Sequence, residues 1–191
     1  MGGKQSKKQT STELTDKHIA LLKANTKYDE KAIRDWHASF IRDCPTGRLD
    51  KKKFVEVYQQ FYPTGKPDKY CKYAFETFDA NNDGSIDFEE FLLAIAASGQ
   101  GDLNDRLGVA FDLYDVSNDG TIDQKELSNL IIATYDLVGE TDRKGDKDPK
   151  KRAADIIAQL DTAGDKKITR AEFIAGLKAD PVLRQLLAPN A

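Results

Sequence analysis

Two acidic segments carry the residue types that bind a hard metal cation. One reads FDANNDGSIDFEEF from Phe78 and the other YDVSNDGTIDQKEL from Tyr114, so both place oxygen-bearing side chains at alternate positions around a glycine. Ca²⁺ takes about 6–8 oxygen ligands, which a 12-residue loop supplies from positions 1, 3, 5, 7, 9 and 12, with glycine at position 6 for the turn. Each segment matches that pattern throughout, so the spacing predicts two calcium-binding loops.

The predicted ligands are mostly carboxylates. In the first of these loops they are Asp79, Asn81, Asp83, the carbonyl of Ser85, Glu90 as a bidentate ligand and, through water, Asp87. In the other they are Asp115, Ser117, Asp119, the carbonyl of Thr121, Glu126 and, through water, Asp123. A glutamate at position 12 suits a large ion with many ligands, whereas Mg²⁺ demands a tight octahedron, so Ca²⁺ is the expected ion.

A weaker copy of the motif, IRDCPTGRLDKKKF from Ile41, has lost its chief ligands. Arg42 stands at position 1 and Lys53 at position 12, where the two most important carboxylates belong, and Cys44 occupies position 3. We expect no ion in this loop. Cys44 itself is interpreted as a structural thiol rather than a redox site.

The remaining copy, LDTAGDKKITRAEF from Leu160, is intermediate. It keeps Asp161, Asp165 and Glu172 at positions 1, 5 and 12. Ala163 removes the ligand at position 3, and Lys166 replaces glycine at a turn that needs positive φ, which is costly for a residue with a side chain. Two Ca²⁺ ions are therefore expected in the chain, and a third, in this loop, is left open.

Apolar residues at helical spacing flank all four segments. They predict an N-terminal helix that carries Leu14, His18, Ile19 and Leu22. Further helices are predicted over residues 29–42, 50–61, 68–78, 88–97, 103–114, 124–138, 149–160, 171–177 and 181–187. The eighth loop position is apolar in every copy, which predicts short β-ribbons between paired loops: Leu49, Ile86, Ile122 and Ile168. The predicted fold is all-α, with four EF-hand helix–loop–helix units in two lobes. The lobes span residues 12–98 and 102–191, the second ending in an extra helix, and residues 1–11 form a flexible arm.

The composition excludes several classes of protein. The 191 residues carry a formal net charge of −3, which argues against a broad basic face for nucleic acid. The longest apolar run, residues 91–97, is far shorter than the roughly 20 residues of a membrane-spanning helix. The two cysteines form no C-x-x-C pair, which favours reduced thiols in the cytoplasm. No nucleophile or phosphate-binding motif is present, so we expect neither an enzyme nor a small-molecule substrate.

The amino terminus matches an acylation pattern. Met1, Gly2 and Ser6 fit M-G-x-x-x-[ST], which predicts an N-myristoyl group on Gly2. Lys7 and Lys8 follow at once and add attraction to an anionic membrane surface. One acyl chain alone binds membranes marginally, so chain and basic pair together predict peripheral, reversible attachment.

Beyond these loops, the chain resembles the neuronal calcium sensor family, near its hippocalcin, neurocalcin, visinin-like and recoverin branches. The resemblance rests on MGGKQS at the start, DCPTG in the copy that has lost its chief ligands, FDANNDGSIDFEEF, and KADPVLRQLL near the end. It implies a compact, two-lobed, myristoylated sensor in which Ca²⁺ drives the lipid out of a pocket and onto a membrane. The impaired loop from Asp161 to Glu172, the fourth along the chain, is similar to the corresponding loop of recoverin.

The resemblance also implies a hydrophobic groove that receives an amphipathic helix from a target enzyme, receptor or channel. The residues that match its groove positions are Trp36, Phe40, Phe54, Phe61, Phe91 and Ile95. Methionine, which makes such grooves adaptable, occurs only at position 1, so a stiff groove with a narrow set of targets is expected.

Two other functions are compatible with these patterns. A cytosolic Ca²⁺ buffer would bind ions without exposing new apolar surface. A regulatory subunit of an enzyme complex, similar to the calcineurin B chain, would stay in a tight complex even without Ca²⁺.

Overall fold

The computed structural model describes residues 12–188. In chain order these residues form α1 (Asp16–Asn25), α2 (Glu30–Asp43), β1 (Arg48–Asp50), α3 (Lys51–Phe61), α4 (Asp68–Phe78), β2 (Ser85–Asp87), α5 (Phe88–Gln100), α6 (Leu103–Tyr114), β3 (Thr121–Asp123), α7 (Gln124–Val138), a 3₁₀ turn (Gly145–Lys147), α8 (Pro149–Leu160), β4 (Lys167–Thr169), α9 (Arg170–Ala179) and α10 (Pro181–Leu187). The predicted all-α fold of paired EF-hand units with short β-ribbons is confirmed.

Most helix boundaries also match the prediction, and two helices are longer than expected. The helix predicted over residues 88–97 continues to Gln100, because the Ala-Ala-Ser-Gly stretch does not break it and the chain leaves the helix only at Gly101. The helix predicted over 171–177 spans Arg170–Ala179, because Thr169 caps its start and the chain leaves the helix only at Asp180, the residue before Pro181. Asp29 and Asp50, predicted as first helical residues, instead cap α2 and α3 with their side chains.

The β-ribbons pair the loops at the predicted apolar position. β1 runs antiparallel to β2 with Leu49 opposite Ile86, and β3 runs antiparallel to β4 with Ile122 opposite Ile168. All four side chains are buried, so each ribbon joins two loops and also anchors them in the core.

Each lobe has its own hydrophobic core. The N-terminal core gathers Leu22, Ile33, Phe75, Ile86 and Leu92, among others. The C-terminal core gathers Leu107, Phe111, Ile122, Leu130 and Phe173, among others. Each such side chain contributes about 1.5–3 kcal/mol when fully buried, so both loop pairs are held by well-filled interiors.

The two lobes pack against each other through α4 on α7 and α5 on α6. Half-buried Tyr70 and Leu113 lie against both cores. Polar contacts reinforce the junction, because Lys66 donates its backbone N–H to the carbonyl of Asp136 at 2.7 Å and Lys69 Nζ pairs with the Asp136 carboxylate at 3.1 Å. Within residues 12–188, no helix is both long and apolar enough to cross a membrane.

Candidate metal-binding loops

The loop between α4 and α5, which we call loop 2, is organised around Asp79. This residue is the C-terminal cap of α4 and is only 5% exposed. Its Oδ1 accepts a hydrogen bond from the backbone of Asp83 at 3.0 Å, and its Oδ2 accepts one from Gly84 at 2.9 Å. Gly84 has a φ of 86°, in the left-handed region that glycine adopts without a steric cost. The position-1 carboxylate therefore lies at the centre of the turn.

Glu90 closes loop 2 from the opposite side. Its Oε1 accepts from the backbone of Asn81 at 3.2 Å and its Oε2 from that of Asp87 at 3.1 Å. Asp87 caps α5 and accepts the backbone N–H of Glu90 in return, which forms a capping box. Burial raises the pKa of Glu90, and the charges of Asp87 and Asp79 add to the increase, against its two backbone hydrogen bonds.

The loop between α6 and α7, loop 3, repeats the four hydrogen bonds that the carboxylates at positions 1 and 12 accept in loop 2. Asp115 accepts from the backbones of Asp119 and Gly120 at 3.1 and 2.9 Å. Glu126 accepts from those of Ser117 and Asp123 at 2.8 and 3.0 Å. Two separate segments thus fold to one hydrogen-bonded frame, as expected from their shared spacing.

The chemistry of both loops fits Ca²⁺. Each loop carries aspartates at positions 1 and 5 and a glutamate at position 12, with asparagine in loop 2 and serine in loop 3 at position 3, and such hard oxygen donors suit this ion. In the arrangement described for residues 12–188, no three acidic, histidine or cysteine side chains converge closely enough to hold an ion. The carboxylates instead accept backbone hydrogen bonds, which an incoming ion would share or replace.

The position-5 carboxylates have cationic neighbours from the partner loops. For Asp83, burial raises the pKa, but hydrogen bonds from Ser85 and Arg48 outweigh it and leave the pKa below its usual value. For Asp119, hydrogen bonds from Thr121 lower the pKa, and Lys167 adds to that effect. The sequence interpretation missed both contacts between loops, although the apolar position-8 residues predicted that the loops beginning at Arg42 and Asp161 pair with loops 2 and 3.

Loop 1, between α2 and α3, presents the wrong charges for a cation. Arg42 is exposed and pairs with the adjacent Asp43 at 3.5 Å. Lys53 is exposed and lies 3.8 Å from Glu56 on α3. Cys44 is buried as the C-terminal cap of α2, and its pKa is raised chiefly by burial.

In loop 4, between α8 and α9, the carboxylates already accept hydrogen bonds from the loop itself. Glu172 Oε1 accepts from the backbone and hydroxyl of Thr162 and from the backbone of Ala163, and its Oε2 accepts both donors of Thr169. These hydrogen bonds, those of Thr169 foremost, lower the pKa of Glu172 to about 2. Lys166 has a φ of 65°, in the left-handed region expected from its loop position.

All six predicted groove residues belong to the N-terminal lobe, and five of them are buried or half-buried. Phe40 and Phe54 are buried, and Trp36, Phe91 and Ile95 are half-buried. The rings of Trp36 and Phe40 contact that of Phe91, with centroids 5.9 and 5.2 Å apart. Ile95 lines a cavity of about 270 Å³ between the lobes. Phe61, at the end of α3, is 73% exposed.

The predicted acylation site and its basic pair, Gly2, Lys7 and Lys8, lie outside the described residues.

Paired helix–loop–helix units with these ligand sets define an EF-hand protein. Family models agree, since an EF hand domain matches residues 70–98 and an EF-hand domain pair matches residues 104–178.

Similarity to known proteins extends over most of the chain. Neuronal calcium sensor 1 of Lymnaea stagnalis is 41% identical over 179 residues, which cover 93% of this chain and 94% of the relative. Its namesake in Aplysia californica is 42% identical over 179 residues, with the same coverage. Recoverin of Homo sapiens is 34% identical over 170 residues, covering 87% and 85%. The chain therefore belongs to the neuronal calcium sensor family and is an EF-hand calcium sensor.

Proposed function

We propose that this protein senses Ca²⁺ through two ions, one in loop 2 and one in loop 3. The matched hydrogen-bond frames of these two loops carry the proposal. In each, a buried aspartate at position 1 faces a glutamate at position 12 across the turn, and in loop 2 these are Asp79 and Glu90. Loops 1 and 4 act as structural partners through the β-ribbons. A third Ca²⁺, if it binds at all, would occupy loop 4 with lower affinity.

Ion binding in loop 2 would move α5 and so change the packing of the N-terminal lobe. When bound, Ca²⁺ supplies a divalent charge that the carboxylates at positions 1 and 12 share. Glu90 lies in the first turn of α5, so a shift of its carboxylate towards Asp79 turns that helix. The same helix carries Phe91 and Ile95, whose packing against α2 and the second lobe would then change.

The movement of α5 would expose an apolar groove, which a helix of a target protein could then occupy. The groove is formed by the six residues named above, five of which pack within the N-terminal lobe or at its junction with the other lobe. An amphipathic helix binds such a surface through apolar residues spaced three or four apart. A Ca²⁺ buffer would lack this response.

Membrane attachment is the second part of the proposal. A myristoyl group on Gly2, together with Lys7 and Lys8, would give reversible, Ca²⁺-dependent binding to anionic membranes from the cytoplasm. We place the lipid in a pocket of the protein when Ca²⁺ is absent, as in the family mechanism.

Calorimetric Ca²⁺ titration of the myristoylated protein tests the ion count, and sedimentation with phosphatidylserine-containing vesicles tests the lipid. We expect the titration to give two ions and the protein to sediment with the vesicles only when Ca²⁺ is present. The Gly2→Ala variant should still bind two ions but should not sediment. Three ions would mean that loop 4 binds. Equal sedimentation with and without Ca²⁺ would contradict the lipid switch, and unchanged fluorescence of an apolar-surface dye on adding Ca²⁺ would contradict the groove.

A further inference from the structure

A cation from each ion-poor loop contacts a predicted ligand of its partner loop. Arg48 stands at position 7 of loop 1, and its guanidinium donates to Asp83 at 2.9 Å and to the Ser85 hydroxyl. Lys167 stands at position 7 of loop 4, and its Nζ lies 3.3 Å from Asp119 Oδ2 and 3.2 Å from the Thr121 hydroxyl. In both lobes the contact is therefore with positions 5 and 7 of the ion-binding loop.

The ribbon register produces this geometry. Arg48 pairs with Asp87 across the first ribbon, and Lys167 pairs with Asp123 across the second. Position 7 of one loop thus lies opposite position 9 of the other, from where a long side chain reaches position 5. A residue at position 7 offers a metal only its backbone carbonyl, so the ligand set does not restrict which side chain stands there.

We propose that Arg48 and Lys167 are built-in counter-charges that weaken Ca²⁺ binding in the partner loop and stabilise the calcium-free state. The inference rests on the proposed function, in which loops 2 and 3 hold the ions. Without an ion, each cation offsets the mutual repulsion of the loop carboxylates. With an ion present, the same cation repels a divalent charge a few ångströms away. The ion-poor loops thereby tune the affinity of the loops beside them.

The effect is expected to be larger in the N-terminal lobe. The Arg48 side chain is 30% exposed, against 44% for Lys167, and its contact with Asp83 is the shorter of the two. Charges that are less exposed to water interact more strongly. Loop 2 should therefore gain more affinity than loop 3 when its counter-charge is removed.

The test measures each binding loop separately. Glu126→Gln protein leaves loop 2 as the site to be measured, and Glu90→Gln protein leaves loop 3. In these backgrounds, Arg48→Gln and Lys167→Gln should tighten Ca²⁺ binding by about threefold to tenfold. The gain should shrink in high salt, because screening weakens a charge effect. The same substitutions should lower the thermal midpoint of the calcium-free protein in chelator.

Matched variants separate contact from overall charge. Arg48→Lys retains the cation and should keep an affinity near that of its background. Arg42→Gln removes a charge of loop 1 that pairs with Asp43 instead. Lys178→Gln removes an exposed charge from the last turn of α9, where the Lys178 Nζ donates to Asn104 instead. Both controls should change the affinity by less than about twofold.

The outcomes distinguish this inference from the proposed function. If the two background proteins bind no Ca²⁺, both proposals fail together. If they bind it, but Arg48→Gln and Lys167→Gln leave the affinity unchanged or weaken it, only the counter-charge inference is overturned. An equal gain in Arg42→Gln would also overturn it, since net charge alone would then account for the effect.

Discussion

Among single residues, the glutamates at position 12 of loops 2 and 3 combine a predicted ligand role with a structural one. Glu90 completes the predicted ligand set and also closes the capping box of α5 with Asp87. Glu126 does the same for α7 with Asp123. A helix N-terminus favours negative charge, so backbone N–H groups hold these carboxylates in place before any ion binds. Ligand position and helix start are thus fixed by the same side chain.

Replacement of Glu90 by glutamine should remove one ion. The amide can still cap α5, so the fold is retained, but it cannot act as a bidentate carboxylate. Calorimetric titration should give one Ca²⁺ instead of two. Glu89→Gln removes the same charge one residue earlier, from a side chain outside the loop's hydrogen bonds, and should leave two ions. An undiminished count in the Glu90 variant would contradict the ligand assignment.

Among the elements, the connection between α3 and α4 is shaped by its contact with the end of α7. At Gly65, an added Cβ would lie 1.7 Å from the carbonyl oxygen of Leu137, so any side chain there forces the two backbones apart. The neighbouring Lys66 donates its N–H to Asp136. The connection between α3 and α4 therefore packs its backbone directly against the end of α7, and this fitted contact joins the lobes.

Two glycine substitutions should have opposite effects on stability. Gly65→Ala should lower the free energy of unfolding by about 1–3 kcal/mol, because the clash involves backbone and cannot be relieved by a rotamer change. Gly99→Ala lies within α5 with nothing inside 4 Å of the new methyl group, and should raise it by about 0.5–1 kcal/mol. Urea unfolding of the calcium-free protein measures both, and a loss of equal size at the two positions would contradict the fitted contact.

For the whole molecule, Asp136 joins the lobes electrostatically. Its carboxylate accepts from Lys69 of α4 at 3.1 Å and from Arg143 at 2.8 Å. Burial raises the pKa of Asp136, but the hydrogen bonds and charges of these two cations outweigh it, so the pKa lies below its usual value. Folding thus favours the ionised carboxylate. Its contribution is present above the ordinary aspartate pKa and is lost as the pH falls through the lowered one.

Asp136→Asn should therefore cost about 1 kcal/mol of unfolding free energy at neutral pH. The difference from the parent protein should vanish when the medium is acidified below the lowered pKa, because the parent carboxyl is then protonated too. Urea unfolding across this pH range measures the difference. Asp35→Asn, which breaks an exposed pair with Lys31 within α2, should cost less. A cost for Asp136→Asn that persists in acid would contradict the ionic explanation.

The sequence by itself predicted the candidate ligand positions, and it determined nearly all helix boundaries and the pairing of the loops. These features are local: alternate oxygen donors such as Asp79 and Asp83, a capping residue such as Asp87, and an apolar residue such as Ile86 at position 8. Such patterns repeat within a few residues, so spacing alone reveals them.

Only the tertiary structure decided which distant groups meet. The contact of Arg48 with Asp83 depends on the ribbon register, and the fit of Gly65 against Leu137 depends on how the two lobes pack. The burial of Phe40 against Phe91 likewise follows from the packing of α2 on α5. These partners are far apart in the chain, and their distances follow from the summed packing of many side chains rather than from any local pattern.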